Sequence, residues 1–424
     1  MFNYGQVSVQ CLLFIYIKGL DVVFKNSMGK GGITYQSSFE AAIKELKIPL
    51  NINCIFSLID FLFEGGHFSF VGNSADFKLT YLTQASVLHA GLTNNQIRPV
   101  GTFVVGDTST GKTELIYSVA KLFPESIKVN LASMSSKALI YACIDDPGYL
   151  NGKIILVEEL TGLDDPDLQY LLRVLVTKGK ASHYTVIGGQ AHQIEIIGSI
   201  SLQSTGLPKD SLREDTMNRM VRLSTDNSPV QTKAVLNRIK SSYIKENPIS
   251  SSHSKIENLF HDYFLSLEPF EVSIPFADKI VFDTSKADQR RKAKIFLDLL
   301  ATVCVLNQHK RDIKNGILQA EEEDFHTLIA ITSKTSHASE NYFSKAEKIV
   351  FDSIKKDLNG KYFSTDEIAS KKPGGYGRTT LKTSISSLVE KGILNRKVVK
   401  RKAHFCIKKK TLLVNDWGVE DFLS

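Results

Sequence analysis

The chain has 424 residues, 42% hydrophobic and 23% charged, enough apolar material for two or three packed domains, which excludes a largely disordered or fibrous protein. Its formal charge of +7 is unevenly placed: residues 339–424 hold 18 Lys and Arg against 10 Asp and Glu, leaving 34 against 35 in the first 338. The five cysteines lie far apart with no CxxC spacing, so neither a disulfide framework nor a zinc site is indicated and a reducing, cytoplasmic setting is expected.

Residues 1–95 read as an N-terminal region of uncertain role, with no chemistry assigned. The apolar run at 11–17, CLLFIYI, is far short of the roughly 20 residues of a membrane span and reads as a buried strand; no membrane partner is expected. Further apolar runs stand at 22–24 and 55–63, a helix is expected at 37–46, and MGKGG at 28–32 reads as a turn. From residue 101 short apolar strands alternate with helices, the pattern of an α/β sheet: strands at 102–105, 127–130, 153–157 and 196–202, with an amphipathic helix at 168–176 between them. Beyond residue 225 the pattern is mainly helical. A Ser-rich break is expected at 247–254, then helices at 285–308 and 321–333, and a second break near 336–339 introduces the basic tail.

The strand at 102–105 leads directly into GDTSTGKT at 106–113, which opens a helical stretch. Glycines at Gly106 and Gly111, with Asp107, Thr108, Ser109 and Thr110 between them, let successive backbone N–H groups curl around phosphate oxygens. Lys112 would reach the β- and γ-phosphates, and the Thr113 hydroxyl would ligate Mg²⁺. A second half follows at KIILVEEL, 153–160, where two carboxylates end an apolar strand. Glu158 would hold Mg²⁺ through water and Glu159 would polarise the attacking water; the usual first acid is Asp, so Glu158 is a departure. In QSTG, Ser204 or Thr205 stands after a strand near the γ-phosphate. In NRMVRL, Arg219 precedes a strand where ring-forming ATPases reach into a neighbouring subunit, with Arg222 or Arg213 as alternatives.

With these four pieces in this order the chain resembles the AAA+ ATPases, and within them the minichromosome-maintenance type of replicative helicase, especially the shortened forms carried by mobile elements and phages. The resemblance covers about residues 100 to 410. It implies that 182–200 is a β-hairpin projecting into a central pore to touch DNA, with Lys178 and Lys180 at its root and Gln190 and His192 near its tip. It also implies a helical lid at 285–313 with 320–325, from which Arg290 or Arg291 meets the nucleotide. The tail reads as helix, helix, helix and wing: a winged helix whose third helix brings Arg378, Lys382 and Lys391 to DNA. Eight basic residues and no acid lie between Asn395 and Lys410, among them Arg396, Lys397, Lys400, Arg401 and Lys402. The family's larger members carry an N-terminal DNA-binding collar, often with zinc, which has no counterpart here.

The expected architecture is therefore α/β: a P-loop AAA+ core and helical lid at 96–335, a parallel sheet flanked by helices, followed by a winged-helix DNA-binding domain at 339–424. The expected activity is that of an ATP- and Mg²⁺-dependent DNA helicase or translocase, working as a hexameric ring of identical chains on single-stranded or forked DNA in replication. The alternative is a DNA-binding initiator or regulator that ATP switches and that unwinds little.

Overall fold

The computed structural model describes residues 48, 52, 54–90, 92, 97–131, 136–158, 165–187, 189–207, 219–244, 248–282, 289–335, 345–358, 361–371, 373–390, 394–399 and 402–407. The features expected at 11–17, 22–24, 28–32 and 37–46 lie outside them. The chain divides into two compact units, Met1–Lys279 with Arg290–Thr335, and Ile280–Gln289 with Ser336–Ser424.

The first unit is built on five parallel strands: β1 (Gly101–Val105), β2 (Lys128–Asn130), β3 (Ile154–Val157), β6 (Ser201–Gly206) and β7 (Met220–Ser224), in the order β2-β3-β6-β1-β7. Strands β4 (Lys180–Ile187) and β5 (Gln190–Ile197) form a separate antiparallel hairpin between helix α5 (Pro166–Lys178) and β6. A parallel sheet needs cover on both faces, and its central strands are accordingly buried throughout. On one face, helices α4 (Ser136–Asp145) and α5 close an apolar cluster with Phe103, Ile155, Val157 and Leu202.

The other face is unusual in being polar. Helix α2 (Ser74–Ala85), preceded by α1 (Ile55–Glu64), is buried along nearly its whole length, including Thr80, Thr83 and Gln84. Thr83 meets the Thr102 hydroxyl of β1 at 2.7 Å, and Ser201 of β6 donates to the carbonyls of Thr83 and Val100 at 2.8 and 2.7 Å. Gln203 donates to Ser201 at 2.8 Å, and Gln84 reaches the Ile116 carbonyl of α3 (Lys112–Ala120) at 3.2 Å. A buried polar group costs free energy unless it is paired, so these bonds favour one seating of α2 on the sheet, although Thr80 Oγ1, Gln84 Oε1 and Gln203 Oε1 are buried without a partner. An aromatic chain seals its far side: Phe68 stacks on Phe77 at 4.5 Å, Tyr81 on Phe123 at 5.0 Å, and Phe123 meets Phe264 of α7 (Pro248–Leu265) edge-on at 5.1 Å. Residues 54–90 are thus part of the P-loop unit, which corrects the expected boundary at 95.

Helix α6 (Pro229–Ser242) follows β7 and leads to α7. The Ser-rich stretch expected to be a break is the amino-terminal part of α7; Pro248 at its start supplies a helix-compatible φ where no N–H partner is needed. Helix α8 (Gln289–Leu306) and helix α9 (Glu322–Thr332) stand where long helices were expected. A small sheet, absent from the sequence reading, lies among them: β8 (Glu271–Ser273), β9 (Ile313–Lys314) and β10 (Ile317–Gln319), ordered β8-β10-β9. Buried Arg311 is gripped by buried Asp324 through two bonds of 2.9 and 2.7 Å, and Asp324 also closes the capping box of α9.

The second unit contains α10 (Lys345–Leu358), β11 (Phe363–Ser364), α11 (Thr365–Lys371), α12 (Arg378–Glu390), β12 (Leu394–Val399) and β13 (Lys402–Ile407). The three strands form an antiparallel sheet ordered β11-β13-β12, and Val350, Ile354, Phe363, Ile368, Leu381, Ile385, Leu388 and Phe405 pack its core. Among the described residues no helix is long and apolar enough to cross a membrane.

Candidate functional site

The loop after β1 turns on two glycines that are needed for different reasons. Gly111 has φ of 86°, in the left-handed region, with open space around the position of a Cβ; only its conformation calls for glycine. At Gly106 the limit is room, because a Cβ would stand 1.9 Å from Thr225 Oγ1 and 2.9 Å from Thr110 Oγ1. Ser109 also adopts a left-handed φ, 64°, at the exposed crest of the loop with Asp107 and Thr108.

Two bonds tie the loop to the turn after β7. The Thr225 hydroxyl donates to Thr110 Oγ1 at 2.6 Å, and Asn227 Nδ2 donates to Asp107 Oδ2 at 3.1 Å. Thr110 in turn donates to the Asp107 carbonyl at 2.7 Å. Lys112 donates to the carbonyls of Gly106 and Asp107 at 2.8 and 2.7 Å, so its amine already lies over the loop, and Thr113 is exposed in the first turn of α3. Backbone N–H groups at a helix start, an ammonium group and a free-facing hydroxyl, with the one acid of the loop turned to Asn227, form a donor set that fits phosphate oxygens and a Mg²⁺ ion.

Glu158 follows β3 and is exposed, while Glu159 lies outside the described residues. Tyr117 of α3 donates to Asn130 Oδ1 at the end of β2 at 3.0 Å, and burial, then the Glu158 carboxylate, push its phenol up from the ordinary value. Asn130, Tyr117 and Glu158 therefore gather at the carboxyl ends of β2 and β3, beside the phosphate-loop helix. Neither Tyr117 nor Asn130 was singled out in the sequence, although Asn130 ends a strand that was.

The sensor expectation needs correcting. The strand expected at 196–202 is two elements: Ile196 and Ile197 end the hairpin, and Gly198, whose N–H goes to the Gly179 carbonyl at 2.8 Å, turns the chain before β6. Ser204 and Thr205 thus lie within β6 and are buried, not in a loop after it. Alternation sets Ser204 on the side of Leu202, in the apolar cluster, and Thr205 on the side of Gln203 and Ser201, where its hydroxyl donates to the Glu158 carbonyl.

Arg219 immediately precedes β7, and Met220 pairs with Gly101 at the start of β1. With about 3.3 Å per strand residue, its backbone stands roughly 20 Å from the loop of its own chain, at the opposite end of the sheet. Its guanidinium donates to Thr177 at the end of α5. The alternative Arg222 is half-buried within β7, and Arg213 lies outside the described residues. Arg290 and Arg291 are exposed in the first turn of α8.

The hairpin forms as expected. Its base is packed, with Ile194 and Ile196 in the core, whereas Gln190, Ala191, His192 and Gln193 are exposed on both faces. Directly paired residues share a face, so Gln190 and His192 lie with His183, while Lys180 shares the other face with Tyr184 and Val186. The expected contact residues are therefore divided between the two faces. Tyr184 and Val186, large and exposed, were missed because their exposure depends on the hairpin leaving the core. Lys178 is exposed in the last turn of α5.

In the second unit, Lys382 is exposed on α12 and Arg378, at its start, pairs with Asp366 of α11. Arg396 and Lys397 are exposed on β12, where they pair with Phe405 and His404. Lys391, Lys400 and Arg401 lie outside the described residues; Lys402 begins β13 and its side chain is likewise not described.

Residues 57–266 match the model of a family described as MTBMA_p00010 P-loop domain, a span from within α1 to just past α7. No curated protein matches the chain. The chain thus contains a P-loop domain of the α/β class, with a five-stranded parallel sheet flanked by helices, whose loop is built to bind a nucleotide.

Proposed function

We propose that the protein is an ATP- and Mg²⁺-dependent motor on DNA, a helicase or translocase of the AAA+ type that works as a ring of identical chains, six by the resemblance. The observation that carries the reading is the order of the sheet. Strand β6 lies between the phosphate-loop strand β1 and the acidic strand β3, so Thr205 is tied to Glu158 beside the loop of Lys112 and Thr113. ATP with Mg²⁺ supplies an activated phosphoanhydride to this site. Lys112 and the loop N–H groups would hold its phosphates, Thr113 and Glu158 would hold the metal, and Glu159 would orient the attacking water and take its proton. Arg219, at the far end of the sheet from its own loop, is suited to meet the phosphate held by a neighbour.

The hairpin supports action on DNA. An inserted ribbon with two exposed faces, carrying Lys180 and Tyr184 on one and Gln190 and His192 on the other, offers ammonium, aromatic and amide groups to a single strand. The second unit, read as a winged helix, adds Lys382, Arg396 and Lys397 as phosphate contacts. If ATP turnover rises with single-stranded DNA and a forked duplex is separated, the motor reading stands. Turnover stimulated only by one duplex sequence, without strand separation, would replace it with the initiator reading, which the basic second unit favours. Glu159→Gln should keep ATP binding and stop turnover; normal turnover in that variant would remove the base assignment.

A further inference from the structure

Helix α6 is anomalous. It runs for 14 residues without one buried side chain, yet Leu236, Ile239 and Tyr243, just past its end, recur at the three- and four-residue spacing of one helix face and are 50%, 49% and 83% exposed. The body-facing side is polar: Gln231 donates to the Val71 carbonyl and Arg238 to the Phe68 carbonyl. Lys233 and Lys240 are exposed, and the helix contains no acid. An apolar stripe turned to water beside two ammonium groups on one flank is a surface shaped for contact.

A matching surface stands at the opposite edge of the same sheet. Helix α4 connects β2 to β3, the strands at one edge, whereas α6 follows β7 at the other. On α4 and the turn after it, Tyr141, Ile144 and Tyr149 are exposed large apolar residues, flanked by exposed Asp146, and exposed Tyr170 and Asp167 stand on α5, which packs beside it. The α6 surface is apolar and basic; the α4 surface is aromatic and carries the carboxylates of Asp146 and Asp167, with exposed Lys137 one turn before Tyr141. Two different, complementary surfaces at opposite edges of one body make a heterologous contact, which repeats from copy to copy and closes into a ring when the rotation allows.

We infer that α6 of one copy docks on the α4 surface of the next copy of this chain, with Leu236, Ile239 and Tyr243 covering Tyr141, Ile144 and Tyr149. The inference names the contact within the proposed ring and rests on that reading. It also gives the contact a line to the nucleotide, because α6 springs from the Thr225–Asn227 turn that holds Thr110 and Asp107.

The test is sedimentation velocity on the full chain, with and without Mg²⁺ and a non-hydrolysable ATP analogue, for wild type, Ile239→Asp and Tyr141→Asp. Both sites are solvent-exposed, and an unchanged melting temperature verifies that the variants fold. Wild type should form species larger than a dimer, and each variant should associate at least about tenfold more weakly, as expected when one central contact is lost. An equimolar mixture of the two variants has one intact α6 surface and one intact α4 surface, so it should form dimers and stop there. Variants that assemble like wild type, a mixture that stays monomeric, or loss of assembly in only one variant would each overturn the pairing. A fluorescent ATP analogue should bind the monomeric variants; its failure to bind wild type would remove the nucleotide reading, while the assembly results without nucleotide would still judge the contact.

Discussion

Placing a single methyl group on Gly106 should damage the phosphate loop, and removing a hydroxyl across from it should repair most of that damage. In Gly106→Ala the new Cβ would lie 1.9 Å from Thr225 Oγ1, about 1.5 Å inside ordinary contact, so the Thr225 side chain must swing away. That abandons the 2.6 Å bond to Thr110, a loss of about 1 kcal/mol, and overpacking adds about 1–3 kcal/mol. If the strain is relieved by shifting the loop, the summed cost of about 2–4 kcal/mol should lower nucleotide affinity by about thirtyfold to nearly a thousandfold. Thr225→Ala alone loses only the hydrogen bond and should weaken binding about fivefold. The double variant should bind close to Thr225→Ala, with a small residual cost from the 2.9 Å approach to Thr110 Oγ1. Equilibrium titration of a fluorescent ATP analogue with Mg²⁺, on proteins whose melting temperatures show an intact fold, measures all four corners of the cycle. Wild-type affinity in Gly106→Ala, or additive losses in the double variant, would refute the account of the strap.

Gly111→Ala should weaken binding by roughly 1–2 kcal/mol through its left-handed φ, and Thr225→Ala should not rescue it, since nothing crowds that position; a rescue would show that space, not conformation, is limiting. Burial, and then the Lys294 ammonium, hold the His89 imidazole down at about 3, so its contribution to stability is complete above pH 6.5 and is lost as pH falls from there toward 3. Between pH 7 and 5 wild type should lose about 2 kcal/mol more than His89→Leu in denaturant titrations, and parallel pH profiles would contradict this. Asp298, raised to about 6 by burial against the pull of Lys294, acts in the opposite sense: its stabilising effect is present near pH 4 and is lost as pH rises through 6, and it should persist in the His89 variant. Asp324→Ala should cost about 3 kcal/mol or more by leaving Arg311 buried without its bidentate partner, even with Glu321 and Glu323 still at 3.3 and 3.2 Å; a loss under about 1 kcal/mol in chemical denaturation would be incompatible with that role.

Local pattern made some of this legible in the sequence and distance hid the rest. GDTSTGKT after GTFVV identified the loop because strand, glycines and helix are consecutive. Thr225 and Asn227 were invisible as loop partners, since their position depends on β7 pairing with β1 across more than a hundred residues. Helix α2 escaped notice because its polar residues look like a surface; the bonds to Thr102, Ser201 and Gln203 are what draw that polar side into the core. The strand misplaced at 196–202 has a simple cause: apolar Ile196, Ile197 and Ile200 run on past Gly198, and hydropathy does not register a turn set by a backbone bond to Gly179.

The polar layer under α2 bears on how such a protein can be taken apart and recombined. A helix that meets its sheet through interchangeable aliphatic side chains can be exchanged between relatives with modest loss. Thr83, Thr102, Ser201 and Gln203 instead act as lock and key, each useful only with the others in place. A transplanted phosphate loop would function as a module only when the stretch from α1 onward travels with it, so the smallest portable piece of this protein begins some fifty residues before the motif by which it is recognised.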